Sequence, residues 1–231
     1  MTIPTSCVGA SVRRLACTAI ALLVATAHGY ADPDPIRYRE RTGASVAYLA
    51  ATEQTAGANL VLPSRSTAGE EHTVVVDPLL AAVSWTHRDP VRQIDYQAVR
   101  DGSSITLAGH VHGDEVQESF TLRDSAPWIQ SIERSLQEFV LSEDRRIEFW
   151  TIQPGDFQLR KLQAVRRGRA TVTVNGVPTD AWEIRLSLPG VASLFWSATY
   201  WFRTTDGLFV RSEAVRGWPG TPVTVVELVS E

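Results

Sequence analysis

From His72 to the C-terminus, apolar and polar residues alternate with a period of two through most of the chain. Such alternation places successive side chains on opposite faces of an extended backbone, so it calls for strands with one buried face. The stretch SITLAGHVHGDEVQESFTL, residues 104–122, shows the pattern most plainly. A two-residue turn at Gly113-Asp114 pairs Val111 with Val116, Leu107 with Phe120 and Ile105 with Leu122. All six side chains then share a face. Further strands are predicted at 72–77, 80–87, 92–100, 146–153, 157–166 and 222–229, with an aromatic hairpin at 194–216.

A second hairpin is read differently. In ATVTVNGVPTDAWEIRLSL, a two-residue loop at Asn175-Gly176 sets Val174 opposite Val177 and Ala170 opposite Ala181. That register leaves Trp182, Ile184 and Leu186 on the polar side. A shift of one residue turns every side chain to the other face. The sequence therefore predicts a longer loop, residues 175–179, with Val172 opposite Trp182 and Ala170 opposite Ile184.

One segment departs from the period of two. SAPWIQSIERSLQEFVLS, residues 125–142, carries Trp128, Ile132, Leu136, Phe139 and Val140 at helical spacing, with Ser125 as N-cap and Pro127 in the first turn. The expected fold is mainly β: a single strongly curved antiparallel sheet of about ten strands, an open or half barrel, with one amphipathic helix packed on it. This domain occupies residues 72–231, with the helix inserted at 125–142. Residues 32–71, rich in Ala, Thr, Gly and Pro, are expected to form an irregular N-terminal arm with room for a short helix at 43–56.

The first 31 residues have their own logic. A basic pair Arg13-Arg14, the apolar run LACTAIALLVATA and small residues at Gly29-Tyr30-Ala31 describe a secretory signal peptide cleaved after Ala31, or alternatively after Ala27. The apolar run is too short to span a bilayer. The expected location is periplasmic or secreted, with no transmembrane segment after cleavage. Cys7 and Cys17 both lie in the leader, so the remaining chain holds no disulfide and depends on its core. Losing Arg13 and Arg14 takes the formal charge from −4 to −6, which speaks against a nucleic-acid partner.

No H-E-x-x-H, G-x-S-x-G or glycine-rich phosphate loop is present. His110 and His112, with Asp114 beyond, lie two apart on the polar face of the first hairpin and read as solvent-facing; His72 and His87 read as isolated. Arg166-Arg167-Gly168-Arg169 reads as a solvated hairpin tip, and the acidic pairs Glu70-Glu71, Asp114-Glu115 and Glu143-Asp144 as surface turns. No catalytic residue, metal site or cofactor is assigned.

The remaining signal is aromatic. LFWSATYWF, residues 194–202, has large apolar side chains on both faces. Candidates for the wall of an apolar cavity are Trp128, Ile132 and Leu136 from the helix, Trp182, Ile184 and Leu186, then Trp196, Tyr200, Phe202 and Arg211. Trp182, Tyr200 and Arg211 supply the few polar groups that such a wall needs. The same residues fit a filled core equally well.

Three segments, PWIQSIERSLQEFVLS, RRIEFWTIQP and FWSATYWFRTTDGLFVRSEAVRGWPGTP, resemble those of a family of uncharacterised exported bacterial proteins. The likeness covers about residues 72–231. A curved sheet with a helical lid also resembles the half barrel of the periplasmic lipoprotein carriers. That resemblance implies acyl chains held in the concave cavity. The leading expectation is an exported, non-enzymatic protein holding a lipid or acyl chain between sheet and helix. The alternative is an envelope protein–protein interaction module with a filled core, binding through a sheet edge or the N-terminal arm. A hydrolase is a remote third, because no nucleophile or base is positioned.

Overall fold

Alternation is realised as strands almost everywhere. The computed structural model describes residues 34–194, 196–215 and 221–231. Its strands are β1 (Ile36–Thr42), β2 (Ser45–Ala51), β3 (Gln54–Ala56), β4 (Asn59–Ser66), β5 (Glu71–Val76), β6 (Ala82–Asp89), β7 (Ile94–Asp101) and β8 (Ser104–Val111). Then come β9 (Asp114–Thr121), β10 (Arg146–Ile152), β11 (Leu159–Val174), β12 (Val177–Ser187), β13 (Ser197–Arg203), β14 (Phe209–Val215) and β15 (Val223–Ser230). They form one antiparallel sheet in the order β10-β11-β12-β13-β14-β15-β1-β2-β4-β5-β6-β7-β8-β9, with β3 paired to β4.

Fifteen strands replace the expected ten or so, chiefly because, within the predicted arm of residues 32–71, the described part from residue 34 onward forms strands. In IRYRERT, Arg37, Arg39 and Arg41 alternate with Ile36, Tyr38 and Glu40, and Tyr38 is buried. β1 inserts between β15 and β2, pairing Tyr38 with Leu228 on one side and Leu49 on the other. No helix forms at 43–56, which holds β2 and β3. The signal-peptide region lies outside the described residues.

The expected helix at 125–142 shrinks to α1 (Ile132–Ser135) and α2 (Gln137–Leu141). Residues 127–129 are extended instead. Trp150 N donates to Pro127 O (2.8 Å), Ile129 N to Trp150 O (2.8 Å) and Ala82 N to Trp128 O (2.7 Å). The edge of β10 and the start of β6 thus find partners in one short segment that seals an otherwise open sheet at that level. Satisfying these backbone groups outweighs the small helix propensity of a single turn.

Both hairpin readings need correction. In the first, the turn residues are His112 and Gly113, both at positive φ, and Val111 pairs with Asp114, Leu107 with Glu118 and Ile105 with Phe120. The slip is two residues, which preserves the face: Ile105, Leu107 and Leu122 are buried as expected. In the second, the tight Asn175-Gly176 turn forms and Ala170 does pair with Ala181. A bulge between Arg166 and Gly168 moves the later residues of β11 to the other face. Val174, Ala181, Ile184 and Leu186 are all buried and belong to one core.

Two hydrophobic cores result. The first gathers Leu136, Phe139, Phe149, Ile184, Leu186, Phe202 and Phe209, and the second Trp85, Tyr96, Leu107, Trp128, Trp150 and Ile152. β10 is their common wall, with Phe149 facing one and Trp150 and Ile152 the other. Among the described residues, no helix is long and apolar enough to cross a membrane.

Asp124 ties the segment before the seam to β10 and β11, accepting from Trp150 Nε1 (2.9 Å), Ala126 N (3.0 Å) and Lys161 Nζ (2.6 Å). The Lys161 bond above all, then the other two, lowers its pKa from 3.8 to about 2. A group whose folded pKa is depressed stabilises the fold above its ordinary pKa and loses that contribution as pH falls through the folded value. Tryptophan fluorescence is therefore expected to change between about pH 4 and 2, and Asp124→Asn to remove that component.

Candidate functional site

The two cores do not meet everywhere. Between them lies a cavity of about 850 Å³, within the range of roughly 300–1,000 Å³ typical of ligand clefts. Its apolar wall takes Ile36, Tyr38, Leu49, Phe209 and Val226 from the first core side and Leu62, Val74 and Trp85 from the second. Ser131, Glu133, Arg134 and Gln137 of the helical segment line it as well. Arg134 Nε reaches Glu53 across to the β2–β3 turn at 2.6 Å, and Gln137 Nε2 donates to Asp206 O at 2.7 Å. The short helices are thereby fixed to the sheet from two directions.

One wall carries a polar cluster. His72 of β5 and His87 of β6 are directly opposite in the ladder, so they share a face, and their rings stack with centroids 4.2 Å apart. Trp85, two residues before His87, is on the same face and donates from Nε1 to His72 Nδ1 at 3.2 Å. An indole nitrogen only donates, so His72 carries its proton on Nε2 and presents it to Glu70 Oε1 at 3.1 Å. His87 Nε2 is also 3.1 Å from that oxygen, but off the line a hydrogen bond needs. The Tyr96 hydroxyl is 2.9 Å from His87 Nδ1. The hydrogen bond from His72 above all, with the His87 imidazole close beside the same oxygen, holds the Glu70 carboxylate well below the usual carboxylate range. Burial pushes the Tyr96 phenol up, so it stays neutral.

Glu70, His72 and His87 bring ligand atoms within 4.8 Å of one another, a spacing that invites a metal reading. The chemistry of the donor set argues otherwise. Trp85 commits His72 Nε2 to a proton rather than a lone pair, and rings only 22° from parallel do not aim two lone pairs at one point. The cluster is a hydrogen-bonded clasp on a carboxylate. Sequence reading took His72 and His87 as isolated and Glu70 as a surface turn. Pairing the predicted strands 72–77 and 80–87 around a two-residue connection places His72 opposite Trp85, on the face that His87 also shares, whereas the observed pairing of His72 with His87 follows a register shift between Val75 and Val76.

None of the ten residues predicted for the cavity wall is among its described lining residues. Leu136, Ile184, Leu186 and Phe202 fill the first core, with Ile132, Trp196 and Tyr200 packed against it. Tyr200 and Phe202 stand behind Phe209, each with ring centroids 5.7 Å from it. Trp128 belongs to the second core. Trp182 lies between the guanidinium groups of Arg166 and Arg169, each 4.9 Å from its ring. Arg211 pairs with Glu213 at 2.6 Å and covers Trp201.

No protein-family model matches the sequence, and no curated protein matches it. Solved structures do. A β-barrel-like protein of domain of unknown function DUF1849 from Brucella abortus aligns with a TM-score of 0.54 at 9% identity, over 85% of this chain and 96% of that one. The hypothetical lipoprotein YmcC from Escherichia coli K12 aligns with a TM-score of 0.42 at 11% identity, over 86% of this chain and 85% of that one. The first likeness is one of fold: an open, barrel-like antiparallel sheet.

Proposed function

We propose that this is an exported, non-enzymatic binding protein that holds the apolar part of a lipid or similar small molecule between its curved sheet and its helical segment. The observation that carries this reading is the cavity of about 850 Å³ between the two cores, lined by aliphatic and aromatic side chains from both together with a cluster of polar groups. An apolar body with a polar end matches such a wall. The state of the imidazoles supports binding over catalysis: His72 directs its proton at Glu70, so it offers no base to a hydroxyl or water nucleophile. The rival reading, a partner added to the sheet edge, is less favoured. The terminal strand β9 carries Asp114, Glu115 and Glu118, the charges by which edges resist pairing.

Native mass spectrometry of residues 32–231, purified gently from a bacterial envelope, tests the proposal. A bound mass matching a lipid or similar amphiphile is expected. A bare mass before and after exposure to membrane lipid would overturn it.

A further inference from the structure

Charge is unevenly spread over the cavity wall. Asp34, Glu40, Glu53, Glu70 and Glu133 line it, whereas Arg134 is the one arginine or lysine among the described lining residues, and it is already bonded to Glu53. Low-dielectric walls concentrate the field of such a set. Within it, Glu70 has a particular geometry. Its Oε1 faces both imidazoles, and among the described residues no side chain reaches Oε2. His87 supplies a second, independent pointer. It is buried, 3% exposed, and its Nε2 has no aligned hydrogen bond. A carboxylate oxygen 3.1 Å away requires the proton on that nitrogen, so a buried donor awaits an acceptor in line. A donor arriving at Oε2 that turns the carboxylate slightly brings Oε1 into that line.

We infer that the cavity takes a cationic amphiphile, whose ammonium group bonds Glu70 Oε2 while its apolar chain lies against Ile36, Leu49, Leu62 and Val74. This inference rests on the binding function proposed above and names the ligand's charge. The carboxylate is ionised throughout the physiological range, because the imidazole donors keep it so. A charge-assisted hydrogen bond inside a partly buried site is stronger than a neutral one. Anionic chains meet the opposite field. Fatty acids are thus the poorer match to this wall.

The test is calorimetric titration of residues 32–231 with dodecylammonium, dodecanol and dodecanoate, each below its aggregation limit. Dodecylammonium is expected to bind at least about tenfold more tightly than dodecanoate. Glu70→Gln keeps an acceptor for His72 but removes the charge, and is expected to weaken dodecylammonium binding about tenfold. Glu115→Gln, on the exposed β9, leaves that affinity unchanged. Binding of dodecanoate as tight as that of dodecylammonium, or an unchanged amine affinity in Glu70→Gln, overturns the inference while leaving the binding function intact. If none of the three probes binds, the binding function falls and the inference with it.

Discussion

Replacing Trp128 with alanine is expected to destabilise the fold by about 3–5 kcal/mol, the range for truncating a fully buried tryptophan. Trp128 is 0% exposed and lies in the second core with Trp85, Trp150 and Ile152. Its backbone oxygen accepts from Ala82, its neighbours Pro127 and Ile129 exchange hydrogen bonds with Trp150, and its indole nitrogen donates to Gln130 Oε1 at 3.0 Å. Gln130 in turn accepts from Ile152 N at 3.1 Å and donates to Ile152 O at 2.9 Å. Removing the indole therefore empties a large volume at the seam and loosens the residue that clips β10 to it. Urea denaturation followed by circular dichroism measures the loss. A change below about 1 kcal/mol would mean that the seam is not packed as described.

Gly109→Ala is expected to be comparably severe, with a loss of more than about 3 kcal/mol, because it strains the backbone and overpacks the sheet at once. Gly109 has φ +149°, and a Cβ built there falls 2.3 Å from Asp95 O and 2.5 Å from Tyr96 Cα. Both obstacles are backbone atoms of the paired strand, which cannot swing aside as a side chain does. Gly109 sits opposite Tyr96, and the Tyr96 hydroxyl supports His87. The substitution is thus expected to disturb the Glu70 clasp 39 residues away in sequence, besides lowering the melting temperature. Thermal unfolding and the histidine proton resonances report the two effects separately. A melting temperature within a degree or two of the parent's would show that the ladder yields there.

How much of this was legible in the sequence depends on how local the cause was. The strands from His72 onward follow from alternation, and β5, β6, β7, β10 and β15 lie within two residues of their predicted bounds. β1 is hidden in the sequence although its arginines alternate at 37, 39 and 41, because Glu40 occupies a half-buried position where the pattern calls for an apolar residue. Trp128 does fit the helical spacing of Ile132, Leu136, Phe139 and Val140; what overrides it at 127–129 is the need of β10's edge for a partner, a fact about another part of the chain. The bulge in β11 is likewise invisible to a rule that assumes an even ladder. LFWSATYWF fitted a cavity wall and a filled core equally well; Trp196, Tyr200 and Phe202 belong to the first core or pack against it. The open space falls where two cores fail to touch, which no single segment encodes.

The pairing of β1 with β15 sets a timetable for the binding site. Chains are made from the N-terminus onward, and β1 supplies Ile36 and Tyr38 to the cavity wall while β15 supplies Val226. β1 has β2 on one side as soon as that strand forms, but its other edge must wait for β15. A chain in which β15 has not yet paired with β1 lacks Val226 from the cavity wall, however much of the rest of the sheet is in place. Removing β15 (Val223–Ser230) would take Val226 from the wall and also part β14 from β1 in the interior of the sheet.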